Sequence, residues 1–532
     1  MAPDADYDTS GQPAVIRGHS RLNTLSDSSK WLIYAALNFA FCAALLIGAV
    51  VNGGSLAQLP YVTLLFAICS SPVPFVDRFN GAFAMLSAAM VVYFFEFGAL
   101  DAMSMLKPHA KTLAVEGGIG RTEVVVWIGA LMQIVGFHAV TRLAKGREKF
   151  GVSKDWPKRL LVPIGILLWS AAVAATLYHD FVVQPDNSSV SVMAGLTKLG
   201  IWNTTGLILV ENYAGPLGII ILAYWWATSG NRAGTALMLT LFLAQFILGW
   251  VVDTKEVAIS APVIALATRF MVDGKVPLRW FVGAIVAIGL MFPILSAKRV
   301  VMSEEMQLTR LEALPRTLEI IARTLEELDA VRAGKFGEQR SETFLERESV
   351  KGNVDLIVKG IESGHPYRLG STFEPLLYVF FPRVFWSTKP GGNSAQQLNR
   401  EFHISADPDT FISPSHLGEW YWNFGLAGVI VGMALSGALL GYISRRFDLS
   451  VHLSVTRVLI LMVTLYLLVV RSEGQIEIQY ALWARSVLLI GLLHLVLARG
   501  VVRPADSTAV VGRAVAGISQ PVSLPKFPNL MR

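Results

Sequence analysis

Four side chains in one stretch of this chain are of the types that phosphate and sugar chemistry needs: Arg383, Lys389, His416 and Glu419. All lie in residues 374–425, a polar, charged and aromatic-rich run between very apolar segments. Arg383 stands in FFPRVFW, where Pro382 fixes the neighbouring backbone. A guanidinium there can hold a phosphate through two parallel hydrogen bonds, and Lys389 adds a point charge. The same residues also suit an interfacial anchor that reaches lipid headgroups. His416 and Glu419 stand in ISPSHLGEWYWNFG. Three residues apart, they share a helix face, and either can act as general base on an incoming hydroxyl. A plainer reading makes Ser413 or Ser415 a helix cap with Glu419 in the first turn. The residue types do not choose between these.

Asp407 and Asp409 flank Pro408, a D-x-D pattern able to hold a divalent metal, but Asp-Pro is ordinary turn chemistry. No metal and no cofactor is expected. Further charges would ring one cavity if their helices converge: Asp253, Lys255, Glu256, Lys298, Arg299, Arg471 and Glu473.

The elements that must position these groups are apolar. Charged residues make up 16% of 532, against about 25% in soluble domains. Apolar runs near the length that crosses a bilayer predict an all-α polytopic membrane protein with about 12 transmembrane helices. The runs are 31–51, 56–75, 81–102, 123–143, 160–178, 213–228, 233–252, 257–272, 280–295, 417–443, 455–470 and 480–498. A weaker run at 190–210 carries Lys198 and reads as re-entrant or interfacial. With the N-terminus inside, inner short loops hold thirteen Lys and Arg and outer ones six. The positive-inside rule then places both termini in the cytoplasm and the long loop 298–416 outside.

The chain thus divides into an N-terminal tail (1–30), a bundle of about nine spans (31–297), the long outer loop, three further spans (417–499) and a C-terminal tail (500–532). In the loop, Leu308, Leu311, Leu314, Leu318, Ile321, Leu325 and Leu328 mark an amphipathic helix. A second helix is expected over 342–361, and both should pack as a lid or lie among headgroups. The tail 504–532 reads as disordered. Residues 1–30 lack the pattern of a cleaved signal. Cys42 and Cys69 fall in apolar runs and form no disulfide framework. The net charge of +6 fits cytoplasmic Lys and Arg rather than nucleic-acid binding. No Walker A, H-E-x-x-H, nucleophile-elbow or dinucleotide-binding glycine pattern occurs.

Two stretches, FPRVFWSTKP (381–390) and PSHLGEWYWNFGLAG (414–428), resemble the O-antigen polymerase (Wzy-like) family of bacterial repeat-unit polymerases. That family tends to show I-P-R-x-x-W-P-x-K-P, then P-S-x-x-G-E-x-Y-x-N-F-G-x-x-G entering a membrane helix. Ser387 replaces the usual proline. The resemblance implies a GT-C-like architecture in a bacterial inner membrane. It implies transfer of a glycan from undecaprenyl pyrophosphate to the terminal sugar of another lipid-linked repeat, on the outer face. It also implies partners: the lipid-linked oligosaccharide, a chain-length regulator and a flippase.

On that reading Arg383, then Lys389, Arg299 and Arg471, stabilise the pyrophosphate leaving group. His416 or Glu419 takes the hydroxyl proton, and Trp420, Tyr421 and Trp422 stack on sugar faces. Competing readings are an O-antigen ligase-like transferase and a secondary transporter or oligosaccharide flippase. A transporter should concentrate charge at mid-membrane. Only Glu96, Asp101, Arg269, Arg457 and Arg485 lie in or near spans.

Overall fold

The computed structural model describes residues 27–52, 56–72, 82–106, 119–143, 154–183, 210–252, 255–273, 315–332, 350–381, 392–405, 410–449 and 453–500. It also describes short pieces and single positions between 280 and 313 and between 386 and 408. Apart from a two-residue antiparallel bridge, Lys154–Asp155 with Arg499–Gly500, the described elements are helical. They are α1 (Asp27–Asn52), α2 (Leu59–Ser70), α3 (Ala82–Phe97), α4 (Ala99–Leu106), α5 (Arg121–Leu143), α6 (Lys158–Tyr178), α7 (Gly215–Ser229), α8 (Arg232–Val251) and α9 (Lys255–Asp273). After these come α10 (Thr317–Arg332), α11 (Val350–Glu362), α12 (Ser394–Phe402), α13 (Ser415–Arg446), α14 (Val455–Thr464) and α15 (Ile476–Leu497).

Among the described residues six helices are long and apolar enough to cross a membrane: α1, α5, α6 with its π-helical extension, α8, α13 and α15. The pair α3–α4, bent by 51°, makes a seventh if it is one span. The protein is an α-helical membrane protein. The predicted spans 31–51, 123–143, 160–178, 233–252, 417–443 and 480–498 fall on the six, and 81–102 on the bent pair. Spans 56–75 and 455–470 correspond to shorter apolar helices, and 213–228 and 257–272 to α7 and α9. Residues 280–295 are described only at isolated positions, and most of 190–210 and the two tails lie outside the described residues.

Tertiary contacts sort the helix ends. The start of α13 meets the turn before α15, where the His416 amide donates to Ser472 O (2.9 Å). The end of α3 joins them, Ser472 Oγ donating to Glu96 Oε1 (2.6 Å). The far end of α15 pairs with the segment before α6 through the antiparallel bridge. The outward ends of α3, α5, α13 and α15 thus form one mouth. The tightest packing is α5 against α13. A Cβ at Gly136 would strike Ala434 O, and one at Gly437 would strike Gln133 O. Small residues let these backbones approach, as membrane helices require where burial of apolar surface gives little drive.

α13 is broken at Gly425 (φ 62°, ψ −149°), a conformation that glycine adopts without a Cβ penalty. Residues 415–424 form a separate helical segment. It folds back so that the Trp420 ring lies over Gly432, twelve residues on. Carbonyls freed at the break are taken up by the preceding loop: Arg368 N donates to Trp422 O and Leu369 N to Asn423 O, both at 3.1 Å.

Helix α11 overlaps the second helix expected over 342–361, of which 342–349 lie outside the described residues, and packs on the mouth, burying Val354, Ile357, Val358 and Ile361. Charged contacts pin it. Lys351 pairs with Asp101 (2.8 Å) and Glu123 (2.9 Å) and lies over Tyr61, while Thr122 donates to Asp355 (2.8 Å). α10 differs from its expectation. The chain breaks between Arg310–Ala313 and Thr317, and the buried positions in its first two turns are Ile320 and Thr324. Of the described residues of its leucine stripe, Leu318 is 83% and Leu325 56% exposed.

Candidate site at the mouth of the bundle

Glu419 lies on the short 415–424 segment and is 0% exposed. Its Oε2 accepts from Ile476 N (2.7 Å), the first amide of α15. It therefore caps a helix 57 residues away, since Gln475 at the N-cap position makes no side-chain cap. The Glu419 and Glu477 carboxyls touch, and Glu419 Oε1 and Glu477 Oε2 meet no donor elsewhere. Glu477 Oε1 accepts from Ser394 Oγ (2.6 Å) and Ser394 N (3.3 Å), so it holds the start of α12. The Gln475 amide, oriented to satisfy both neighbours, donates to Glu477 Oε1 (3.0 Å) and accepts from Ala395 N (3.1 Å). Three elements meet at this carboxyl pair: the 415–424 segment, α12 and α15.

Asn423, one turn on, closes the other side. Its Nδ2 donates to Thr372 Oγ1 (2.7 Å) and Glu419 O (2.8 Å), and its Oδ1 accepts from Gly370 N (2.8 Å). The E-x-x-x-N part of the motif, Glu419 to Asn423, thus has a structural task on both ends.

His416 and Glu419 both face the start of α15, Glu419 at Ile476 and His416 one turn further on at Tyr480. Ser415 has φ 59°, so the segment begins irregularly, with Gly418 N donating to Ser415 Oγ (3.2 Å). The expected cap is therefore Ser415; Ser413 instead donates to Glu473 O. The imidazole turns toward Tyr480 (ring centroids 5.6 Å apart) and lines a cavity of about 20 Å³ with a mixed polar and apolar wall. Glu96, Gln133, Ser436 and Ser472 are also in its wall. His416 Nε2 is buried with no hydrogen-bond partner. The cavity has room for about one water.

The remaining predicted residues are scattered. Lys389 is buried, and its Nζ donates to Phe381 O (3.0 Å). Arg471 stands in the turn between α14 and α15, its guanidinium over Tyr466. Arg383, Arg299, Asp407 and Asp409 lie outside the described residues. Lys298 is buried against Trp250. The sugar-stacking expectation is corrected for two aromatics. Tyr421 and Trp422 are 0% exposed, and Trp422 packs between Phe402 and Arg368, which ion-pairs with Glu401. Trp420 is half-buried against Phe373 and Gly432. Among the described residues no group of three or more His, Cys, Asp or Glu could hold a metal ion.

Residue types alone did not bring forward Glu477, Gln475 and Ser394. The available signal was Glu477 itself, a carboxylate at the start of an apolar run, where an ionisable group calls for a partner. Comparison with protein-family models, curated proteins and solved structures finds no match to this chain.

Proposed function

We propose that this protein is a membrane glycosyltransferase that polymerises lipid-linked oligosaccharide repeat units of the O-antigen or exopolysaccharide type. In this reading about twelve spans form a GT-C-like bundle in a bacterial cytoplasmic membrane, with both termini inside and the mouth outside. The donor glycan sits on undecaprenyl pyrophosphate, and the acceptor is the terminal sugar of a second lipid-linked repeat.

The observation that carries the reading is the construction of the PSHLGEWYWNFG stretch. It is a separate helical segment at the mouth, ended by Gly425, with Glu419 and Asn423 both 0% exposed and tied to three neighbouring elements. A motif built only to enter a membrane helix has no need of such joints. It is held as reacting groups must be held, within a fraction of an ångström.

The chemistry assigned to it balances. The acceptor hydroxyl oxygen attacks the anomeric carbon as the carbon–oxygen bond to the diphosphate breaks. The electron pair leaves on the diphosphate, and the hydroxyl proton passes to a base. His416 is the base in this proposal, because it has an unpartnered Nε2 and lines a cavity, which Glu419 does not. Glu419 is a positioning residue, because its carboxyl is already engaged. The cavity beside His416 has room for a water, not a sugar, so in this proposal the acceptor reaches Nε2 when the elements around Ser472 part. Arg383, with Lys389, Arg299 and Arg471 behind it, balances the charge on the leaving diphosphate.

Deletion of the gene tests this. Single repeat units should persist on the lipid on the outer leaflet while long chains vanish. Repeat units confined to the cytoplasmic leaflet would identify a flippase. Long lipid-linked chains that fail to reach their final acceptor would identify a ligase.

A further inference from the structure

The cavity beside His416 also has Glu96 in its wall, the one acidic residue of α3. An ionisable side chain on so apolar a helix needs a partner. Glu96 finds Ser472, whose Oγ lies 2.6 Å from Glu96 Oε1 and 2.7 Å from Val469 O. A hydroxyl has one hydrogen, and a carbonyl has none to give. With Glu96 as carboxylate, the Ser472 hydrogen turns to it. With Glu96 protonated, the carboxyl donates to Ser472 Oγ and the Ser472 hydrogen turns to Val469 O. Both states keep the contact, so Glu96 can take up and release a proton without losing its partner.

Ser472 reaches His416 as well, its carbonyl oxygen accepting from the His416 amide (2.9 Å). The imidazole lines the same cavity, and its Nε2 is buried without a hydrogen-bond partner. The cavity admits about one water, which needs two to four polar partners, and His416, Glu96 and Ser472 supply them. The other titratable groups in the wall are phenols already engaged, Tyr93 donating to Val126 O (2.7 Å) and Tyr480 bonded to Ser436 Oγ (3.0 Å). In the turn between α14 and α15, Glu473 sets a like charge near Glu96, and Arg471 lies over Tyr466. Lys351 from α11 is taken by Asp101 and Glu123, and Glu419 accepts from Ile476 N.

We infer that one water in this cavity joins His416 Nε2 to Glu96, and that the two side chains exchange a single proton through it. The Nε2 proton passes to the water as the water gives one of its own to the carboxylate, so the water is regenerated. The exchange does not rest on the polymerase reading. Where that reading holds, Glu96 receives from His416 the proton taken from the acceptor hydroxyl. It then acts through His416 and does not touch the acceptor.

Infrared difference spectroscopy of the full-length protein in detergent, as a function of pH, reads the protonated carboxyl. Wild type should show a carboxylic-acid band that E96Q removes. Its midpoint should rise by about one pH unit or more in H416Q, where the carboxylate loses the imidazolium that balances it. Ser472→Ala should raise it too, because a hydrogen bond to a carboxylate is stronger than one from a neutral acid. That variant gives a second reading if H416Q fails to fold. Coupling is reciprocal, so the acid limb of the polymerisation rate should move to lower pH by a similar amount in E96Q. A wild type with no Glu96 band at any pH overturns the inference. So does a midpoint unmoved in either folded variant, or an active E96Q whose acid limb stays in place. A wild type that makes no chains sinks the polymerase reading instead, and the spectra then decide the exchange alone.

Discussion

At the scale of single residues the proposal separates two neighbours that the motif sets side by side. His416 presents an unpartnered Nε2 to a water-sized cavity, while Glu419 commits Oε2 to Ile476 N. Their variants should therefore behave differently. His416→Ala should lower polymerisation by about 10²–10⁴-fold with little change in thermal stability. Glu419→Gln keeps an acceptor for Ile476 N and gains a donor toward Glu477, so its melting temperature should stay near wild type. Glu419→Ala leaves a buried amide and a buried carboxyl unmatched, a loss of roughly 1–3 kcal/mol for each, read as a lowered melting temperature. Equal melting temperatures for the Gln and Ala variants would show that the cap at Ile476 carries no weight. Arg383→Ala should abolish polymerisation while the protein remains in the membrane at wild-type level; normal chain length in that variant would remove Arg383 from the mechanism.

Among the elements, the loop helix α11 and the kink in α13 hold the mouth together. Lys351 is the hinge pin of α11, since Asp101 and Glu123 converge on it from two different helices. Lys351→Met strands two carboxylates, a loss of roughly 3–5 kcal/mol if the pair behaves as a buried one. Proteolysis should then cut near residues 333–349 faster than in wild type, and unchanged cutting would mean that the apolar face of α11 suffices. Some of this level is legible in the sequence. Runs of apolar residues locate the spans because hydrocarbon demands length and composition, which are local properties. The break at Gly425 is not legible, because glycine is common in membrane helices and only the 367–370 loop that captures Trp422 O and Asn423 O makes it a turn. The exposure of Leu318 and Leu325 on α10 escaped for a related reason: periodicity marks an apolar face without saying whether protein or lipid covers it. The Glu419–Glu477 pair is 58 positions apart, and nothing local in either residue names the other.

For the whole molecule, helix ends alternate between the mouth and the far end marked by the bridge of Lys154–Asp155 with Arg499–Gly500. The proposed orientation puts the mouth outside the cell. With Cys42 and Cys69 replaced, a membrane-impermeant thiol reagent added to intact cells should label Ser363→Cys at the end of α11 and leave Lys154→Cys unlabelled. The reverse pattern would place the mouth in the cytoplasm, away from any outer-leaflet donor. The most direct measurement is reconstitution of the purified protein alone in liposomes with lipid-linked repeat units. The account predicts a ladder of lipid-linked chains one repeat apart, with one polyprenyl diphosphate released per bond formed. Repeat units that cross the bilayer, or remain single, with no diphosphate released would contradict it.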